Sequence, residues 1–345
     1  MASLRKGFDR YLDRRTDGIP AVALMPDERL ALVRQHGNFS LAYSTAVQDG
    51  LSYFGDADGY IAFDRKMGSA FALSDPVAAP AHRQTLIARF VAEGADPCFV
   101  QVGVETAQTL AALGYKINRM GIDSRLTLTP ETFTGKRNET VRYSERWLFK
   151  NGYSIEEDLG GLSSSRVEAL SDLWRAERIV KRREMRFLNR PFSAGLGEGM
   201  RRFVLIDPHG HAVALLDFDP LHQGGETIGY TTFFKRKLPG VTPHAEIGMT
   251  KFAVDRFRDE GKSIVTLGLS PLAVIDASGF GESASLRAIL RRLYGSRLVN
   301  DRIFNLMGQA AFKRRFHGAE EPTYIAFRKT SPMQLIALLR LCKAI

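Results

Sequence analysis

Cysteine is scarce in this chain, which has only Cys98 and Cys342 among its 345 residues. Two thiols without CxxC or other metal-ligand spacing exclude a disulfide framework and a cysteine-based metal centre. Long apolar runs are also missing, since no segment approaches the roughly 18 apolar residues that a membrane-spanning helix needs. The opening residues MASLRKGFDRYLDRR lack the apolar core of a signal peptide. We therefore expect a folded cytoplasmic protein that is stabilised by apolar cores.

Several catalytic motifs are absent as well. No Ser-His-Asp order typical of hydrolases, no HExxH and no Cys/His metal cluster occurs in the sequence. Asp217 and Asp219 form an Asp-x-Asp motif, but two residues apart on a strand they share one face, and we interpret them as neighbouring strand carboxylates rather than as a metal site. We expect neither a metal nor a cofactor.

Alternating and helical apolar patterns divide the chain into two halves. Hydrophobic residues make up 44% and charged residues 25% of the chain, as in ordinary globular proteins, and the length suggests about two domains. The boundary is predicted at 129–135, a segment that contains a proline and a glycine. For the first half the patterns predict strands of one antiparallel sheet at 40–45, 60–65 and 69–75, a helix from Pro80 to about Gly94, a strand at 98–102, a helix at 104–113 and a strand at 115–128.

The second half repeats this order of elements at larger scale. We predict helices at 136–150 and 164–185, strands at 203–207, 212–220 and 227–236, a helix at 244–260, a strand at 263–271, a basic helix at 284–294 and a strand at 323–328. This order favours the α+β class, with mixed, mainly antiparallel sheets flanked by helices. No residue-level repeat accompanies it, so the duplication is inferred from the order alone.

Positive charge exceeds negative charge by ten, with 48 Lys and Arg against 38 Asp and Glu. Two segments of the second half carry this surplus: 175–202 has nine basic and three acidic residues, and 287–315 has eight basic residues and one acidic residue. Such clusters are typical of surfaces that bind nucleic acid or anionic membranes, although basic residues also solvate exposed helices. We predict polyanion binding at these segments.

Four segments resemble motifs of one bacterial family. GKRNETVR (135–142), closing at KNGY (150–153), is similar to the basic helix that opens the catalytic domain of phosphatidylglycerol lysyltransferases. TLGLSPL (266–272) resembles their NLGxxPL strand end, FKRRFHGAEEPTYIAF (312–327) their FKxKFxPxWEPxYLxY ending, and SDPV (74–77) their GDPVG turn. By this resemblance the chain is identified as a member of the aminoacyl-phosphatidylglycerol synthase, or multiple peptide resistance factor, C-terminal domain family.

The resemblance implies a fold and an activity. The fold would be two tandem units like those of GCN5-related (GNAT, acyl-CoA N-acyltransferase-like) enzymes, an N-terminal unit at 1–130 and a catalytic unit at 131–330, followed by an amphipathic basic helix at 331–345. The activity would be transfer of an aminoacyl group from aminoacyl-tRNA to a membrane lipid hydroxyl, with phosphatidylglycerol as the default acceptor. Such an enzyme would work peripherally at the inner face of the cytoplasmic membrane. The flippase region of many family members is not in this sequence, so lipid export is not expected.

Candidate site residues follow from the basic clusters and from the motifs. Ser270 stands where the strand end would bind the ester carbonyl, and His317 has a pKa range suited to moving a proton from the attacking hydroxyl, although a structural role for His317 is an alternative. Glu321 could orient His317 or accept charge from the α-amine. The family's Asp near the start of the third helix of the second unit has no clean partner in this sequence, and Glu246 is the nearest acid. The residues expected to bind phosphates of tRNA or lipid are Lys136, Arg137, Arg142, Arg182, Arg183, Arg291, Arg292, Lys313 and Arg315.

Other interpretations remain open at this point. The C-terminal segment SPMQLIALLRLCKAI is apolar apart from a few polar and basic residues, and it suits either a membrane interface or docking on the protein's own core. An acyl-CoA-dependent N-acyltransferase is an alternative function, but KRKLPGVTPHAEIGMT (235–250) lacks the glycine spacing of a pyrophosphate-binding turn, and its prolines remove amide donors. A non-catalytic module that binds RNA or anionic membrane is the third alternative.

Overall fold

The computed structural model describes residues 18–159, 164–177 and 186–343, which form a mixed α+β structure. In the first half, Pro80 begins a helix that ends just before Gly94, as predicted, because proline suits the first helical turn. The elements of this half are α1 (Pro26–His36), α2 (Ala42–Val47), β1 (Ser52–Asp56), β2 (Gly59–Lys66), β3 (Ser69–Leu73), β4 (Val77–Ala78), α3 (Pro80–Glu93), β5 (Cys98–Val102), α4 (Val104–Ala112) and β6 (Lys116–Thr127).

The second half opens with a short 3-10 turn at Lys136–Asn138 that leads into a helix. Its elements are α5 (Glu139–Lys150), β7 (Ser154–Glu157), α6 (Ser164–Glu177), β8 (Arg201–Ile206), β9 (Ala212–Gln223), β10 (Glu226–Lys237), α7 (His244–Asp259), β11 (Ile264–Pro271), α8 (Ala284–Tyr294), α9 (Arg297–Arg302), α10 (Leu306–Arg314), β12 (Ala319–Phe327) and α11 (Pro332–Leu341). The helix predicted at 164–185 is described as far as Glu177, and 178–185 lies outside the described residues.

One sheet joins both halves in the strand order β1-β2-β3-β5-β12-β6-β11-β10-β9-β8-β7, with β4 paired to β2. The order is symmetrical about the central antiparallel pair β12 and β6. On each side an antiparallel neighbour, β5 or β11, is followed by a parallel one, β3 or β10, and then by antiparallel strands. The expected class, α+β with a mixed, mainly antiparallel sheet, is confirmed.

The symmetry of the sheet indicates two units that exchange their last strands. β12 belongs to the second half but pairs with β5, whereas β6 belongs to the first half but pairs with β11. This topology supports a tandem arrangement that no residue-level repeat revealed. The boundaries at 130 and 330 stay a prediction, because β6 and β12 each pair with strands of both halves.

The strand predicted at 40–45 is wrong, because the chain forms the short helix α2 there. All five residues from Ala42 to Ala46 are buried. A helix that is buried all round has no polar face, so its sequence lacks the periodicity by which helices are recognised. The segment SLAYST alternates by chance as a half-buried strand would.

The C-terminal helix α11 docks on the protein's own core. Ala337, Leu338 and Cys342 are buried in an apolar cluster together with Phe71 and Phe327. Of the two alternatives for this segment, the structure therefore shows docking for the buried face of the helix. Within the part of the chain that the structure describes, no helix is long and apolar enough to cross a bilayer.

Candidate active site

A cavity of about 240 Å³ opens where the parallel strands β10 and β11 separate. These strands pair only along 229–231 and 264–266, and beyond that point each has a register shift against its other neighbour. Gly268 sits at the irregularity in β11 with a φ of +72°, a conformation that favours glycine. Side chains from both halves of the chain line the cavity, among them Ser40, Gln101, Arg190, Lys235, Phe312 and Lys313.

Lys313, near the end of α10, supplies an amine to the cavity wall. Its Nζ donates hydrogen bonds to the carbonyl oxygens of Gly268 at 2.8 Å and Leu269 at 2.6 Å. Burial lowers the pKa of Lys313 to about 7, an effect that Asp123 opposes and Lys235 reinforces. At neutral pH a large share of Lys313 is therefore uncharged and can accept a proton.

Asp123 is a buried carboxylate of β6 close to this lysine. Its Oδ2 accepts a hydrogen bond from Ser40 Oγ, which lies 2.8 Å from Thr266 Oγ1, and Thr266 in turn donates to Thr231 at 2.7 Å. Burial raises the pKa of Asp123, whereas the Ser40 hydrogen bond and Lys313 lower it. The other oxygen, Oδ1, has no hydrogen-bond partner within the described chain. This buried acceptor atom lies behind the cavity wall, since Asp123 itself is not among the residues that line the cavity.

Arg190 contributes a fixed ion pair to the cavity wall. Its guanidinium binds both carboxylate oxygens of Asp219, one at 2.6 Å, and lies 3.9 Å from the ring centroid of Phe233. Asp217, on the same face of β9, is bound in the same bidentate way by Arg202. Both acids of the Asp-x-Asp motif are therefore neutralised by arginines. Among the described residues, no group of His, Cys, Asp and Glu could hold a metal ion.

The three residues expected at the reaction centre do not come together in the cavity. Ser270 is buried in β11, and its Oγ has no hydrogen-bond partner in the described chain. Glu321 lies on β12 directly opposite Asp123, with about half of its side chain exposed. His317 is exposed in the turn before β12, where its Nε2 lies 3.1 Å from the carbonyl oxygen of Arg137. None of these three side chains lines the cavity described above.

Glu246 lies beside the cavity and acts on it through a lysine. It is in the first turn of α7, 3.3 Å from Nζ of Lys235, which lines the cavity and lies 3.4 Å from the ring centroid of Phe312. Burial lowers the pKa of Lys235, whereas Glu246 raises it. A carboxylate in the first turn also opposes the binding of a ligand phosphate at this helix N-terminus.

Some of the residues expected to bind phosphates form an exposed group. The contact between His317 and Arg137 brings the 3-10 turn next to the loop that carries Arg315. Lys136, Arg137 and Arg315 are exposed, and no ion pair involves their side chains within the described ranges. We call these three residues the basic patch. Their cations are free to meet phosphates.

The other expected phosphate-binding residues have different surroundings. Arg142 donates hydrogen bonds to the carbonyl oxygens of Phe133 at 2.7 Å and Gly135 at 2.6 Å, so it holds the turn before α5. Arg291 donates to the carbonyl oxygen of Ile275 at 2.9 Å, and its neighbour Arg292 is exposed. Lys313 belongs to the cavity, and Arg182 and Arg183 lie outside the described residues.

In 175–202, where the charge count predicts polyanion binding, several arginines are paired with acids, so the segment carries less free positive charge than the count implies. Four of them form ion pairs with carboxylates that all lie outside the segment, so a charge count within the segment does not include these acids. The pairs are Arg175 with Asp172, Arg190 with Asp219, Arg201 with Glu157 and Glu260, and Arg202 with Asp217.

Sequence reasoning missed Ser40 and Arg190 as cavity residues, missed Asp123 as the buried carboxylate that binds Ser40, and assigned Lys313 to phosphate binding. A usable signal existed for Asp123, the one carboxylate in the long strand predicted at 115–128, because an acid in a central strand must be paired or functional. No local signal existed for Ser40, since its hydrogen-bond partner Thr266 is 226 residues away.

Comparisons with known proteins agree with this architecture. A family model described as phosphatidylglycerol lysyltransferase, C-terminal, matches residues 30–327. The phosphatidylglycerol lysyltransferase of Bacillus subtilis is 20% identical over 325 residues, which cover 91% of this chain and 36% of that protein. An uncharacterised protein of Corynebacterium glutamicum is 22% identical over 336 residues, which cover 93% of this chain and 41% of that protein. The chain therefore spans less than half the length of these curated relatives.

Solved structures share the fold. The L-PGS structure from Bacillus licheniformis has a TM-score of 0.76 at 17% identity, with 96% of this chain and 98% of that chain covered. The C-terminal domain of a putative lysylphosphatidylglycerol synthetase from Agrobacterium fabrum has a TM-score of 0.73 at 19% identity, with 93% and 98% covered. The fold is thus shared with these two chains over nearly their whole lengths.

Proposed function

Because this chain belongs to the family of phosphatidylglycerol lysyltransferase C-terminal domains, we propose that it transfers an aminoacyl group from aminoacyl-tRNA to the hydroxyl of a phosphatidylglycerol-type membrane lipid. The observation that carries the proposal is the cavity in which Lys313, with a pKa of about 7, lies close to the buried Asp123. A proton acceptor placed next to the reacting groups is what the exchange of one ester for another requires.

The reaction exchanges the tRNA ester for a lipid ester. The lipid hydroxyl oxygen attacks the aminoacyl carbonyl carbon and forms the new C–O bond, while its proton passes to the neutral amine of Lys313. The C–O bond to the tRNA ribose then breaks, and the ribose oxygen takes up the proton. Atoms and charge balance without an oxidant, a reductant or a nucleotide. Lys313 acts as base and then as acid, which a pKa near the working pH permits.

The carboxylates near Lys313 suit the amino group of the transferred residue. Asp123 Oδ1 has no hydrogen-bond partner in the described chain, and Glu321 lies opposite Asp123 across the β6–β12 pair. An α-ammonium group that reached this position would gain a charge-assisted hydrogen bond. We propose that Asp123 holds the aminoacyl group with its carbonyl toward Lys313, while Glu321 is paired with Arg125 at 3.7 Å.

We expect the basic patch to bind tRNA phosphates. The double change Lys136→Glu and Arg137→Glu should weaken tRNA binding about tenfold or more at low salt. It should also flatten the salt dependence, because a protein that makes fewer phosphate contacts releases fewer counterions from the tRNA on binding. Filter binding at several salt concentrations measures both effects. The matched control is Lys116→Glu with Lys329→Glu, which reverses the same charge at two exposed lysines elsewhere. Equal affinities of the two double variants would remove the basic patch from the proposal.

The acyl-CoA alternative is disfavoured by the surroundings of α7. An acyl-CoA enzyme of this fold would place the pyrophosphate at the N-terminus of the helix after β10. Here Pro243 precedes α7, and Glu246 puts a carboxylate in its first turn. Both features lower the affinity of that helix N-terminus for an anion.

The proposed function is tested by giving the purified chain aminoacyl-tRNAs and phosphatidylglycerol vesicles, followed by lipid extraction and mass spectrometry. The expected product is phosphatidylglycerol heavier by one aminoacyl residue, and its mass identifies the amino acid. A parallel reaction with acyl-CoA instead of tRNA is the control for the alternative donor. A lipid or peptide that gained a fatty acyl mass would overturn the proposal, and vesicle and tRNA binding without any product would favour the non-catalytic module.

A further inference from the structure

The three helices after β11 leave an unusual number of large apolar side chains in contact with solvent. Ile289 and Leu293 on α8, Leu298 on α9, Ile303 after it and Met307 on α10 are between 38% and 60% exposed. These residues are not the packing faces of the helices, because Leu286, Leu306 and Ala310 are buried on the same helices. Scattered exposed apolar residues are normal, but five within 19 residues indicate a contact surface.

Arginines are interleaved with these apolar residues. On α8, Arg292 is one turn from Ile289 and therefore shares its face, and on α9 Arg302 lies four residues after Leu298. Arg292, Arg297 and Arg302 are exposed, and none of them forms an ion pair with a carboxylate of the described residues. Asp301 is the one acidic residue of 287–315, so most of this positive charge is without a neighbouring carboxylate of the segment, unlike the paired arginines in 175–202.

The helices of this surface are joined by hydrogen bonds, and the surface adjoins the cavity. Asn300 ties the helices together, since its Nδ2 donates to the carbonyl oxygens of Tyr294 at 2.8 Å and Ser296 at 2.9 Å, and its Oδ1 accepts from the backbone N–H of Met307 at 3.0 Å. From the same stretch, Phe304 and Gln309 line the cavity. A lipid held at this surface would therefore have its headgroup next to Lys313.

We propose that the exposed residues of α8–α10 form the surface by which this protein docks on an anionic lipid bilayer. This inference rests on the proposed function in that it supplies the route of the lipid acceptor to the cavity. Apolar side chains enter the boundary between headgroups and acyl chains, while arginines bind lipid phosphates, so a mixture of both on one surface fits an anionic bilayer better than RNA. The exposed residues of α11, by contrast, lie on a helix that contributes no residue to the cavity lining.

The test is co-sedimentation with vesicles of phosphatidylglycerol and phosphatidylcholine, compared with pure phosphatidylcholine vesicles, in the absence of tRNA. Leu298→Ser with Met307→Ser should weaken binding to the anionic vesicles about tenfold, because two apolar insertions are lost. Arg297→Glu with Arg302→Glu should abolish the preference for anionic vesicles. The matched control is Met333→Ser with Leu339→Ser, which removes two similarly exposed apolar residues from α11 and should leave binding within twofold.

Each other result contradicts the proposal. No binding of the wild type, equal binding of both serine variants, or loss of binding only in the α11 control would place the membrane contact elsewhere or nowhere. A drop in tRNA binding with unchanged vesicle binding would make the α8–α10 surface an RNA surface.

A second assay separates this proposal from the proposed function. Aminoacyl transfer is measured with short-chain phosphatidylglycerol that is dissolved as monomers, and the α8–α10 variants should keep wild-type turnover there. If the wild type transfers nothing but the variants lose vesicle binding, the proposed function fails and the docking surface stands. If the wild type transfers and the variants bind vesicles normally, the docking surface fails and the function stands.

Discussion

Replacing Lys313 with alanine is expected to lower kcat for aminoacyl transfer by about 10²–10⁴-fold while tRNA affinity stays near that of the wild type. The reason is that Lys313 is held in the cavity wall by two backbone carbonyls and has a pKa of about 7, so it can take a proton from the attacking hydroxyl. A residue that only bound phosphate would change tRNA affinity and leave kcat nearly intact. The measurement is single-turnover transfer together with tRNA binding.

The pH profile of the wild type should report the same group. Only the neutral amine accepts a proton, so turnover is expected to rise between about pH 6 and pH 8 with its midpoint near the Lys313 pKa of about 7. Lys313→Arg keeps a positive charge but cannot lose its proton, so it should be as inactive as Lys313→Ala. Recovery of activity in Lys313→Arg would mean that charge alone matters at this position.

His317 offers the matched comparison for Lys313. Sequence reasoning assigned the proton transfer to His317, but this residue is exposed and its ring faces the carbonyl oxygen of Arg137. His317→Ala is therefore expected to reduce turnover far less than Lys313→Ala. A larger loss in His317→Ala, with a pH profile that shifts in that variant alone, would return the role of base to His317.

Changing Arg202 to methionine is expected to destabilise the fold by about 3–5 kcal/mol at neutral pH. Arg202 and Asp217 are almost completely buried and joined by two hydrogen bonds of 2.7 Å, so removal of the arginine leaves a carboxylate in the core without a counterion. Urea unfolding followed by circular dichroism measures this loss. The double variant Arg202→Met with Asp217→Leu should recover most of it, because a well-packed apolar pair replaces a buried ion pair at little cost.

The loss of unfolding free energy in Arg202→Met should depend on pH, and the pKa of Asp217 sets the direction of this dependence. Burial raises the pKa of Asp217 even with Arg202 present, and without the guanidinium the pKa of Asp217 should rise further. A carboxyl whose pKa is higher in the folded than in the unfolded state favours folding at low pH and loses that contribution as the pH rises through its folded pKa. The deficit of the variant should therefore be larger at pH 8 than at pH 5. A loss of unfolding free energy that became larger at low pH would contradict the claim that the unpaired Asp217 carboxylate destabilises the variant.

Local patterns were sufficient for most of the secondary structure and for the family. The helix from Pro80, the strand at 98–102 and the helix at 284–294 depend on signals within a few residues of one another, and each is confirmed. The family resemblance, carried by short motifs such as TLGLSPL, is confirmed as well. The short helix α2 was predicted as a strand because burial on every side removes the helical period.

The sequence by itself determined the α+β class, most of the longer helices and strands, and the excess of positive charge, because each of these depends on local features or on their sum. Only the tertiary structure decided which charges are free and which residues meet. Insertion of β12 between β5 and β6 sets Glu321 opposite Asp123, and Lys313 reaches the carbonyl oxygen of Gly268 across 45 residues of sequence. The pKa of Lys313 depends on these long-range contacts and on burial, which no count of residues along the chain contains.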